Sequence, residues 1–290
     1  MRKRYLFRIP YLKKTVAGLC GMFVLLAATG YISRCSFHKS SIPETPRYEI
    51  YPKEEIAVPG RIPKPKAFLP KVAVIIDDMG YDSAIAEKFL SLNIPLTFSV
   101  FPHSPSRDKI IRSAKAKGQD IMLHLPMEPV EYPAVDPGPG ALLTFMSPDQ
   151  IISRLNANID SLSFVKGVNN HMGSRMTAVS TQMYQILSAL KKRDLFFIDS
   201  LTTSQSLCRS CAHILQIPFA QRDVFLDHVV DEGTIRIKIG QLIRIADHYG
   251  EAVGIGHPHP ETYNALREML PELQKEVELV PASEIVHTAG

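Results

Sequence analysis

The run Val72-Ala73-Val74-Ile75-Ile76, which ends in Asp77-Asp78-Met79-Gly80, restricts the fold more than any other stretch of this chain. A continuous, mostly β-branched apolar segment without polar alternation suits a strand covered on both faces, as the strands of a parallel sheet are. In such sheets ligands gather at the carboxyl ends of the strands, which puts Asp77 and Asp78 on the functional rim. Neighbouring strand residues point to opposite sides, so one carboxylate is free to bind a cation while the other moves protons. The competing reading is local: a turn in which Asp78 or Asp82 caps a helix beginning near Ser83.

From residue 71 onward, short apolar runs alternate with amphipathic segments, the pattern of repeated βα units. The expected strands cover 72–77, 96–100, 120–124, 166–169, 195–198, 217–220 and 252–256, with a last one near 277–280. The expected helices cover 83–91, 106–117, 148–161, 180–192, 203–214, 233–249 and 261–270. Gly118 suits the end of the second helix and Ser147-Pro148 the start of the third. Seven or eight such units in residues 71–290 indicate an α/β fold of the (β/α) barrel kind rather than an open sheet.

The first seventy residues read differently. Arg2, Lys3, Arg4, Arg8, Lys13 and Lys14 precede a charge-free run from Thr15 to Ser33, long enough to cross a bilayer as a helix. Residues 1–36 are therefore expected to be an N-terminal membrane anchor or a signal peptide. The length of the apolar run favours the anchor, and the small residues of Leu26-Ala27-Ala28-Thr29-Gly30 offer a cleavage site for the signal peptide. Either way the remainder is expected in the periplasm or otherwise outside the cytoplasmic membrane. Residues 37–70 are proline-rich, a composition expected to be an extended linker. The net charge of +4 is misleading: the first 35 residues hold seven basic side chains and no acid, and subtracting them leaves −3 on the rest. That excludes the basic stripe of a nucleic-acid binder.

Cys208 and Cys211 form the single C-x-x-C of the domain. A local disulfide fits an exported chain. A metal knuckle needs a second ligand pair, and thioredoxin-like chemistry needs the motif after a first strand.

Polar, histidine-rich clusters follow the expected strands: Phe101-Pro102-His103, His124-Leu125-Pro126-Met127-Glu128, Asn169-Asn170-His171-Met172-Gly173-Ser174-Arg175, Asp199-Ser200, Gln221-Arg222-Asp223 and Gly256-His257-Pro258-His259. Six clusters on one rim argue for one site. Ile75-Ile76-Asp77-Asp78-Met79-Gly80, His124-Leu125-Pro126-Met127-Glu128-Pro129, Asn169-Asn170-His171-Met172-Gly173-Ser174, Phe197-Ile198-Asp199-Ser200 and Gly254-Ile255-Gly256-His257-Pro258 resemble the divergent polysaccharide deacetylases, a branch of the NodB-like carbohydrate esterases. The resemblance spans about residues 70 to 285. It implies a distorted (β/α) barrel of seven or eight strands and metal-dependent removal of N- or O-acetyl groups from an envelope or extracellular polysaccharide.

By that resemblance Asp77 is the general base, Asp78 and His124 are ligands of one divalent metal ion, Zn²⁺ by choice, and His257 protonates the leaving group. Glu128 stands at the second histidine of the usual His-x-x-x-His pair, and His171 is the candidate to supply the missing imidazole. Arg175 and Arg222 are candidates for the arginine of the Arg-Pro-Pro motif. Asp199 is expected to hold a histidine or an arginine in place, His103 to line the groove, and His259 to shape the loop beside His257. The implied partners are a glycan substrate and the membrane, with an envelope protein as a further candidate. The rival reading is a catalytically weak or inactive module that binds a glycan or an envelope protein on the same barrel.

Fractionation tests the leader: the full chain should pellet with membranes, its domain open to added protease in spheroplasts. Full recovery in the soluble cytosol with Met1 retained contradicts export.

Overall fold

The computed structural model describes residues 68–288. The expected leader of residues 1–36 lies outside the described residues, as does all but 68–70 of the proline-rich segment. Among the described residues no helix is long and apolar enough to cross a membrane.

Strands β1 (Lys71–Met79), β2 (Thr97–Val100), β3 (Asp120–Met127), β4 (Val165–Met172), β5 (Phe196–Asp199), β6 (Phe219–Gln221), β7 (Val224–Phe225), β8 (Glu251–Gly256) and β9 (Glu278–Leu279) form one sheet. Helices α1 (Ser83–Ser91), α2 (Arg107–Ala116), α3 (Pro148–Asp160), α4 (Ser180–Lys191), α5 (Cys208–Leu215), α6 (Glu232–Tyr249) and α7 (Pro260–Glu276) cover it. The strands run in the order β6-β5-β4-β3-β2-β1-β8-β7, all parallel, with β9 added on β1. This curled eight-strand path is the distorted (β/α) barrel expected.

The period of two along each strand divides the core. Val72, Val74, Ile76, Phe98, Val100, Ile121, Leu123, Leu125 and Phe197 belong to the cluster shared with the helices. Ala73, Ile75, Met122, Phe196, Ile198, Val253 and Ile255 form a second cluster inside the curl, joined by Ala282 and Ile285 of the C-terminal segment. That segment crosses the amino-terminal mouth, since Phe219 and His287 exchange backbone hydrogen bonds of 3.0 and 3.1 Å. The interior plug gives the site a rigid floor, each fully buried isoleucine contributing about 1.5–3 kcal/mol.

Several boundaries differ from expectation. Strands β3 and β4 run on to Met127 and Met172, so His171 sits within a strand and not after it, and His124 and Asn169 lie mid-strand instead of at a strand's end. Helix α7 continues through Pro271 to Glu276, because packing of the fully buried Leu273 outweighs the hydrogen bond that proline removes. Strand β7, only two residues long, is too short to stand out as an apolar run. The start of α3 follows expectation: Ser147 Oγ accepts from the Gln150 amide, Gln150 Oε1 accepts from the Ser147 amide, and Pro148 takes the first turn.

At the tip of β1 the pairing with β2 shifts register between Ile76 and Met79, and Asp78 takes a left-handed backbone with φ +54°. By strand parity Asp78 belongs on the outer face; the bulge and positive φ turn its carboxylate inward beside Asp77. Gly80 completes the turn at φ +135°, where an added Cβ would lie 1.9 Å from Ser104 Oγ. Gly118, at φ +71°, has open space around the same position. Gly80→Ala should therefore cost more than about 2 kcal/mol and Gly118→Ala about 1 kcal/mol by chemical denaturation. Equal losses would contradict a steric lock at Gly80.

Candidate active site

Two residues beyond the interior residues Ile75, Met122, Ile198 and Ile255 stand Asp77, His124, Ser200 and His257. The parity that builds the apolar plug thus delivers polar groups to the carboxyl-terminal mouth. The ladder sets their heights: β3 pairs with β4 through His124↔Asn169, and β1 with β8 through Ile76↔Gly256, which brings Asp77 level with His257.

Asp78 from β1, His124 from β3 and His171 from β4 offer three donor atoms within 4.8 Å of one another. Asp78 Oδ1 lies 2.9 Å from His124 Nε2 and 3.1 Å from His171 Nδ1, and the two ring nitrogens are 3.1 Å apart. Although both nitrogens are close, Asp78 Oδ1 is buried and makes no hydrogen bond of acceptable geometry. An orphaned carboxylate oxygen facing two imidazole nitrogens is a donor set for a cation, and two imidazoles with one carboxylate suit a transition ion such as zinc. The residues fit the metal that the sequence resemblance implies. Burial works against ionisation of Asp78, yet the two imidazoles hold its carboxyl far below the ordinary carboxylate range. Burial also lowers the His171 pKa, favouring the neutral ring that a ligand must be.

Asp77 is buried, its Oδ1 accepting from Asn169 Nδ2 at 2.7 Å and lying 3.8 Å from His124 Nδ1. Burial raises its pKa, against the opposing pull of His124 and His257. The environments of the two adjacent carboxylates thus push their pKa values apart, Asp78 down and Asp77 up.

His257 Nδ1 donates to Asp227 Oδ1 at 2.8 Å, and Asp227 Oδ2 accepts from the His257 amide and from Thr262 Oγ1 at 2.7 Å. Burial would lower the His257 pKa, but its contact with the Asp227 carboxylate prevails and raises it to about 9. The Asp227 carboxyl is lowered in turn, because the imidazolium outweighs its own burial. Asp227 is not among the residues expected from the sequence. Its signal is an aspartate closing the apolar run Val224-Phe225-Leu226, a shorter version of the pattern at Asp77.

The remaining candidates lie apart from the triad. Glu128 is buried, but Oε2 accepts from the Thr144 amide and from Thr144 Oγ1 at 2.8 Å, while Oε1 pairs with Arg175 Nε at 3.1 Å. The structure ties Glu128 and Arg175 to residues 128–147, the long segment between β3 and α3, and not to the donor cluster. The Asp199 oxygens accept from the Leu201 amide at 2.8 Å and Ser206 Oγ at 2.6 Å; burial raises its pKa, and the Arg222 charge is among the influences that oppose the rise. Arg222 donates to the carbonyls of Ser200 and Leu201 at 2.8 and 3.0 Å and covers the Phe225 ring. His103 bonds to Asn158 Oδ1 at 3.1 Å. His259 precedes α7, its ring 6.2 Å from that of His257. Cys208 and Cys211 are unpaired and buried in the outer core, and burial pushes the Cys208 thiol well above its ordinary range.

Comparison with known proteins decides the family: residues 74–286 match the profile described as divergent polysaccharide deacetylase. The chain belongs to that family. Among relatives of this chain, the uncharacterized protein YibQ of Escherichia coli K12 is 31% identical over 217 residues, 75% of this chain and 67% of YibQ. An uncharacterized protein of Haemophilus influenzae is 32% identical over 210 residues, 72% of this chain and 74% of its own. The crystal structure of the uncharacterized protein ATU2773 from Agrobacterium tumefaciens C58 superposes with a TM-score of 0.72 at 28% identity, covering 77% of this chain and 92% of that one.

His124→Ala and His171→Ala should each abolish stoichiometric metal binding by calorimetry. Glu128→Gln should keep the metal and instead loosen residues 128–147 to proteolysis. A metal-free Glu128→Gln beside a fully loading His171→Ala would reverse the ligand assignment.

Proposed function

We propose that the protein is a metal-dependent hydrolase that removes N- or O-acetyl groups from an envelope or extracellular polysaccharide. The observation that carries the reading is a buried carboxylate, Asp77, and the His257 imidazole paired with Asp227, at one level beside the Asp78, His124 and His171 donors. A divalent ion on those donors supplies Lewis acidity, bringing a water to a pKa of roughly 7 in the case of zinc and polarising the acyl carbonyl. Zinc is the ion we assign. Asp77 takes the proton of the attacking water, and burial strengthens it as a base by raising its pKa. His257 Nε2 faces the cleft, because Nδ1 is held by Asp227, and gives its proton to the departing nitrogen or oxygen.

The rim carries apolar surface that fits a sugar ring. Tyr81 is 59% exposed and meets Phe101 edge-on at 5.9 Å, and the Phe101 ring lies 5.0 and 4.8 Å from those of His124 and His171. Phe145 is 73% exposed on the segment after β3. Aromatic faces of this kind stack against glycans. The leader, outside the described residues, is proposed to anchor the domain on the outer side of the cytoplasmic membrane, where such a polymer lies.

Zinc-loaded protein should release acetate from acetylated glycan oligomers, and Asp77→Asn should keep its metal but lose turnover by about 100-fold or more. His257 is raised above its unfolded value, so its acid form is present below about 9 and lost as pH rises through it. The alkaline limb of kcat/KM should fall near there, and Asp227→Asn should move it down toward the ordinary imidazole value of about 6.5. If loaded wild type releases no acetate while Asp77→Asn binds glycan as tightly as wild type does, the protein is a binding module.

A further inference from the structure

We propose that Asn169 is the positioning residue of this site, one amide that holds the base Asp77 with its NH₂ group and selects the metal-binding nitrogen of His124 with its carbonyl. The inference deepens the deacetylase reading and rests on it.

Asn169 is fully buried at the centre of β4, level with His124 on β3. Its amide orientation follows from its neighbours. Nδ2 donates to Asp77 Oδ1 at 2.7 Å and meets Ser200 Oγ at 3.2 Å. Oδ1 then faces His124 Nδ1 at 2.9 Å and Ser99 Oγ. An amide oxygen cannot donate, so His124 carries its proton on Nδ1. In the neutral ring that a metal ligand must be, the lone pair then lies on Nε2, the nitrogen aimed at Asp78 Oδ1 and His171 Nδ1. The amide thus sets the tautomer, and the tautomer sets the ligand atom.

Asparagine is the residue type this position needs. An aspartate keeps the acceptor for His124 but turns a second carboxylate toward Asp77. A leucine leaves both Asp77 and the His124 N–H without partners in a buried site. A role confined to packing would predict that any variant that folds keeps the tautomer and the affinity.

The test uses the full chain with ¹⁵N-labelled histidine, titrated with Zn²⁺ alone and read by long-range ¹H–¹⁵N correlation and calorimetry. Zinc-loaded wild type should show His124 protonated on Nδ1 and bound through Nε2. Asn169→Leu should lose the single tautomer and bind Zn²⁺ about 10- to 100-fold more weakly. Asn169→Asp should keep the tautomer and a Zn²⁺ affinity within about threefold of wild type or tighter, yet release acetate at least about tenfold more slowly when saturated with metal. Coordination of His124 through Nδ1 in wild type overturns the proposal, and that result needs no variant to fold. Wild-type Zn²⁺ affinity in Asn169→Leu, or wild-type turnover in Asn169→Asp, overturns it as well. Absence of acetate release from wild type, with tautomer and affinities as expected, overturns the deacetylase reading and supports the ligand-selecting role.

Discussion

Two adjacent carboxylates, Asp77 and Asp78, stand at the mouth of a barrel above an apolar interior cluster, and the site is arranged around keeping them there. A buried charge is stable only when paired or hydrogen-bonded. Asp78 is surrounded by two imidazoles and Asp77 by an amide and the field of two histidines. These partners arrive on β3, β4 and β8, so the carboxylates tie strands far apart in the chain to the register that places them. The β1 bulge and the left-handed backbone at Asp78 add local strain, and the donor cluster is the compensating arrangement.

Similar groups differ in chemistry here because their surroundings differ. Asp78 is driven to the anion by the rings beside it, whereas burial makes Asp77 a stronger base. His171 is kept neutral by burial, whereas Asp227 keeps His257 protonated. Opposed shifts among neighbouring groups are what acid–base catalysis near neutral pH requires. Glu128 is bonded to Thr144 and Arg175 and lies outside the donor cluster. With Arg175 and Thr144 it holds the segment after β3, and a third donor comes from β4 in its place.

Much of this is legible in the chain. The unbroken apolar run before Asp77 implies a parallel, doubly covered strand, and the recurring βα pattern implies the barrel. The order of motifs identifies Asp77, Asp78, His124, His171 and His257 as the residues to place. Asp227 is hidden because its strand has only two residues, too few for a period to be seen. The roles of Glu128 and Asp199 are hidden as well, since a carboxylate after a strand reads the same whether it faces a metal, a threonine or a loop amide.

What the sequence determined by itself is local and periodic: strand type, helix caps such as Ser147, and the alternation that sends every second side chain inward. Tertiary structure decided what alternation leaves open. By parity Asp78 belongs outside, and only the register shift against β2 turns it in. His171 becomes the third donor because β4 runs on to its level, and Asn169 meets both Asp77 and His124 because the curled sheet brings the interior faces of β1, β3 and β4 within hydrogen-bond reach. Such contacts depend on sheet curvature and on pairing between strands remote in the chain, and neither is encoded in the spacing of any one segment.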